Sequence, residues 1–137
     1  MKNILILFIF SFSSNFAYSN GEKSSSNYIS ESTLDDYMTC AAFYVEVGAM
    51  AKVAEKKQFA AYSSYQAEKA LARVLVQLSE DRDKTDALKL LESKLDLKLN
   101  DIKAEPGPAI NHLRSLTDKY FKSCEKALND SERAYGV

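Results

Sequence analysis

At 137 residues, with 18 basic and 19 acidic side chains and a formal net charge of −1, the chain is one domain at most and carries no field that favours nucleic acid or anionic lipid. Two prolines and four glycines leave little to build β-turns with, so the composition points to an all-α protein.

Residues 1–19 have the form of a secretory signal peptide. Lys2 supplies the basic start, an apolar run extends from Ile4 to Phe12, and Ala17 and Ser19 place small residues at −3 and −1 of a cut before Asn20. The apolar run is too short for a spanning helix, so no stable membrane insertion is expected after cleavage. Residues 20–32 are rich in Ser and Asn and too poor in apolar side chains to offset their ordering entropy, which predicts a disordered leader. The remaining residues, 33–137, read as one helical domain.

The first helix is expected over about 33–56, with Thr33 and Asp36 in a capping-box arrangement. Tyr37, Cys40, Tyr44, Val47, Ala51 and Ala54 share one face, and Glu46 is the sole charge between Ala41 and Ala51. A helix apolar all round belongs inside a bundle, so this is the predicted central element. Gly48 there is expected to mark a close helix contact.

A shift in apolar phase near Lys57 predicts a break before a second helix over about 59–79, with a core stripe of Ala60, Ser64, Ala67, Leu71, Leu75 and Leu78. One helix running through the break is the alternative, since neither Gly nor Pro forces it. The third helix, about 84–103, carries Leu88, Leu91, Leu95, Leu99 and Ile102, and Asp83 or Thr85 is its expected cap. After Pro106-Gly107-Pro108 a fourth helix over about 108–134 presents Leu113, Leu116, Tyr120, Cys124 and Ala127 or Leu128. Tyr135 closes that stripe. The predicted fold is an up-and-down four-helix bundle.

In such a bundle Cys40, early in the first helix, and Cys124, late in the last, fall at the same end. Behind a signal peptide they are expected to form a disulfide that staples the fold. A redox-active pair would instead sit close in sequence as C-x-x-C.

No motif for catalysis, metal or cofactor binding appears. His112 is the only histidine and lies off its helix's core stripe, without the convergent ligands a metal needs. Haem held between His112 and Met50 has no local motif behind it either. Glu46 alone makes no acid–base site, and it is expected to pair with a cation from a neighbouring helix. Asn129-Asp130-Ser131 has the form of a glycosylation acceptor, which matters only in a eukaryotic host.

Helix two carries Phe59, Tyr62 and Tyr65 at steps of three, with Lys69 and Arg73 continuing that side, turned away from the leucine stripe. Tyrosines beside cations are typical of protein-binding hot spots, against the plainer reading that the rings are buried on neighbours. The functional expectation is a non-enzymatic, periplasmic or secreted protein that binds another protein of the cell envelope, comparable in size and location to inhibitors and immunity proteins. The alternative is a carrier of a small apolar ligand, with a cavity between helices 1, 2 and 4 lined by Phe43, Tyr44, Met50 and Tyr120.

Overall fold

The computed structural model describes residues 31–105 and 111–134. They form four helices, α1 (Glu31–Val53), α2 (Lys57–Leu78), α3 (Lys84–Lys103) and α4 (His112–Ala134), with no strand among the described residues. The signal segment, residues 20–30 of the leader, the Pro106-Gly107-Pro108 break and Tyr135 lie outside the described residues, while Glu31 and Ser32, expected to close the leader, are instead the first residues of α1.

Helix α1 is the centre: it packs on each of the other three, most extensively on α2, while α3 and α4 touch each other little. The cause is compositional. Cys40, Ala41, Ala42, Phe43 and Tyr44 are buried in succession, so no side of α1 faces water along that stretch, while Asp35, Asp36, Ala49, Lys52 and Val53 nearer its ends are exposed. Thr33 already lies inside this helix, so it is not the N-cap that the Thr33–Asp36 pattern suggested.

The break between α1 and α2 is real, and it is made without glycine. The Lys56 N–H donates to the Ala51 carbonyl at 2.8 Å and the Glu55 N–H to the Lys52 carbonyl at 3.1 Å, with Glu55 at φ 58°. This pair of bonds is a Schellman closure, and Glu55 occupies the left-handed position that glycine usually takes. Since α1 ends at Val53, Ala54 projects into solvent instead of extending the core stripe.

Helix α2 lays a ridge of small residues against α1. Ala60, Ser63, Ala67, Ala70 and Val74 are buried, so Ser63 takes the inward position expected of Ser64, which is half-buried. Gly48 is what permits the approach, because a Cβ there would stand 3.2 Å from the Ser63 Cβ. The Asp83 carboxylate caps α3, accepting from the Asp86 N–H at 2.9 Å. Leu91, Leu95, Leu99 and Ile102 are buried on the core side of α3, with Leu88 half-buried.

Two ion pairs help to hold α3 on α1, Lys98 with Asp35 at 2.7 Å and Lys103 with Glu46 at 3.9 Å. The second gives Glu46 the cationic neighbour expected for it. Cys40 and Cys124 form the disulfide, with Cα atoms 5.4 Å apart, across a sequence separation of 84. On the chain-entropy model a loop of that size contributes about 4 to 5 kcal/mol by restricting the unfolded chain.

Candidate functional site

One turn along from the disulfide, α1, α2 and α4 meet at a polar cluster. Tyr44 extends from α1, Tyr62 from α2 and Glu125 from α4, and both phenol hydroxyls donate to Glu125 Oε1. Gln66, one turn beyond Tyr62, donates its amide N–H to the Tyr62 oxygen at 2.9 Å. The Tyr44 side chain is fully buried, while Tyr62 and Glu125 are partly exposed. Burial first, then the hydrogen bond to Glu125, push the Tyr44 phenol well above the ordinary tyrosine range. The same causes in the same order raise Tyr62. Phenols held in their neutral form are weak bases and weak nucleophiles, so the chemistry this arrangement serves best is adhesion between helices.

The aromatic set of α2 is thereby divided. Phe59 and Tyr62 pack against the core, whereas Tyr65 stands 60% exposed. Lys69 Nζ lies 5.9 Å from the centre of the Tyr65 ring. The Arg73 guanidinium turns the other way, 6.0 Å from the Tyr37 ring of α1. Val76, 51% exposed, follows Tyr65 by 11 residues, about three helical turns, and so lies on the same outward line. Ala61 and Ala72 stand on that side as well, exposed and half-buried respectively.

Of the residues named for a ligand cavity, Phe43 meets both of the other two rings. The Phe43 ring is 4.8 Å from Tyr44 and 5.8 Å from Tyr120, and Tyr44 lies edge-on to Tyr62 at 6.2 Å. Phe43 and Tyr44 are fully buried, and Met50 is half-buried at the margin of the core. A groove does exist elsewhere, between α1 and α3, with a volume of about 490 Å³.

His112 is half-buried at the start of α4 and contributes to lowering Glu105, whose main stabilisation comes from a hydrogen bond with Lys119. Tyr120 also donates to that carboxylate, at 2.8 Å. Among the described residues no three His, Cys, Asp or Glu side chains converge as a metal site. No helix among them is long and apolar enough to cross a membrane.

The Tyr44–Tyr62–Glu125 cluster was missed at the level of sequence because its members lie 63 and 81 residues from Glu125, each on a helix whose rotation had to be known. One signal was present: Glu125 follows Cys124 directly and Tyr44 follows Cys40 by one turn, so a Cys40–Cys124 bridge brings the two near each other. No family model, no curated protein and no solved structure matches this chain.

Proposed function

We propose that this is an exported, disulfide-stapled helical protein that acts by binding another protein, without chemistry of its own, through the outward face of α2. The observation that carries the reading is Tyr65. Its ring is 60% exposed on a helix whose opposite face is fully packed, and the exposed Val76 lies on the same line. A tyrosine ring offers a large, rigid contact area with few torsions to immobilise, and Lys69 beside it adds a cation, a combination enriched in interface anchors. Phe59 and Tyr62 form the inner margin of this face, and Arg73 reaches over Tyr37. Export is supported by the pattern of residues 1–19 together with the Cys40–Cys124 bond, which suits a periplasmic or extracellular compartment.

A photo-crosslinking residue introduced at Tyr65 in the exported protein tests the reading, with the exposed Ser115 of α4 as the control site. A discrete adduct from position 65, absent from position 115 and identified by mass spectrometry as another envelope protein, is the expected result. Equal adduct patterns from the two positions would reject the α2 face.

A further inference from the structure

The groove between α1 and α3 has a chemistry of its own, separate from the α2 face. It runs between Leu34–Met38 of α1 and Lys94–Asp101 of α3. Met38 is buried and Leu34 half-buried, giving an apolar floor, and Leu97 stands 64% exposed on the rim. Lys98 is bound to Asp35 at 2.7 Å, so those two charges neutralise each other. Lys94 and Asp101 remain, neither with an ion-pair partner among the described residues. They sit seven residues apart on one side of α3, about 10 Å along the axis, with Leu97 between them.

We propose that this groove takes an amphipathic helix of a partner protein. Its central leucine-sized side chain seats on Met38 beside Leu97, an acid one turn away meets Lys94, and a base one turn the other way meets Asp101. A groove between two helices suits a third helix laid into it, and the rise of about 10 Å from Lys94 to Asp101 is the rise between residues seven apart on such a partner helix. Opposite charges at the two ends argue against an anionic amphiphile, whose head would meet Lys94 while its apolar tail ran toward the charged Asp101.

The probe is an alanine-based synthetic helix with glutamate, leucine and lysine at i, i+3 and i+7, titrated into the isotope-labelled full-length mature protein and followed by amide NMR. Shifts are expected at residues 34–38 and 94–101, and a peptide with lysine at both charged positions should bind about tenfold more weakly. Lys94→Glu should reverse that preference, so that the two-lysine peptide becomes the tighter ligand. That reversal cannot come from a structural defect, because one ligand gains while the other loses. Shifts centred on Tyr65 and Val76, equal affinity of the native protein for both peptides, or no shift at millimolar peptide would each overturn the proposal. A failed crosslink at Tyr65 would leave it untouched.

Discussion

Tyr62 and Tyr65 are three residues apart on one helix and are alike in sequence context, yet the fold uses them oppositely. Tyr62 donates into the seam where α1, α2 and α4 meet, with Glu125 as acceptor and Gln66 behind it. Tyr65 has no place in that seam and presents most of its ring to solvent. Three residues turn a helix by about 60° from the starting direction, enough on α2 to separate the side facing α4 from the side facing water. The lesson is that an aromatic stripe at steps of three drifts around a helix, so its members need not share a fate.

The seam should therefore be sensitive to changes that leave the outward face indifferent, beginning with the staple one turn away. Replacing Cys40 and Cys124 together with alanine is expected to lower unfolding free energy by about 4 to 5 kcal/mol. Urea denaturation followed by circular dichroism measures the loss. Most helicity should survive at 25 °C, since the core stripes of all four helices remain; a fully unfolded double variant would show that the seam cannot hold α4 without the bond.

Next in size is Tyr62→Phe. It deletes the hydroxyl that donates to Glu125 and accepts from Gln66, leaving an amide and a carboxylate short of a partner in a partly buried site. A hydrogen bond to a charged group is worth about 1.5 to 3 kcal/mol, so a loss near 2 kcal/mol is expected by the same denaturation measurement. Glu125→Gln should cost less, because an amide oxygen still accepts from both phenols.

Much of the architecture was legible in sequence for a physical reason: burial on all sides of α1 requires Ala41 through Tyr44 to be apolar in succession, and that run is visible without coordinates. The Cys40–Cys124 pairing followed from topology in the same way. What escaped depends on rotation and on exceptions to rules. Glu55 takes a left-handed conformation that glycine would have announced, so the α1 terminus was placed three residues late and Ala54 was put in the core. Ser63 displaced Ser64 because Gly48 lets α2 approach at that point, a contact between two helices that neither helix's periodicity reveals. Rotation also divides the aromatic set of α2, since Phe59 and Tyr62 turn inward while Tyr65 does not.

Alkaline pH offers a further separation of the two tyrosine environments. The folded Tyr44 phenol ionises well above its unfolded counterpart, because burial and then Glu125 oppose the phenolate. Below pH about 10 both states hold the proton and the contribution is complete. Above it the unfolded chain releases the proton while the folded chain retains it, so stability falls with rising pH by about 1.4 kcal/mol per unit for this one group. Unfolding free energies from urea denaturation between pH 9 and 12 should fall less steeply with pH in Tyr44→Phe, by about one proton for Tyr44 itself. An unchanged slope would mean that Tyr44 ionises in the folded state as readily as in the unfolded one.

The smallest expected effect carries the most weight for function. Tyr65→Ala removes a ring that is 60% exposed and whose one described ring contact is the Lys69 ammonium at 5.9 Å. An exposed cation–π contact is worth about 0.5 to 1 kcal/mol, partly recovered because alanine is the better helix former at that position. The net change in stability should thus stay within about 0.5 kcal/mol, against about 3 to 5 kcal/mol when a packed aromatic is cut to alanine. Partner capture should move the other way: an interface anchor truncated to alanine commonly loses about 2 kcal/mol or more, roughly thirtyfold in affinity. Measured beside Tyr62→Phe, the pair gives a crossed pattern, one variant weakened in folding and the other in binding. A Tyr65→Ala protein that is as stable as the native one and captures the crosslinked partner with unchanged affinity would remove the α2 face from consideration and leave Tyr65 a solvated ring.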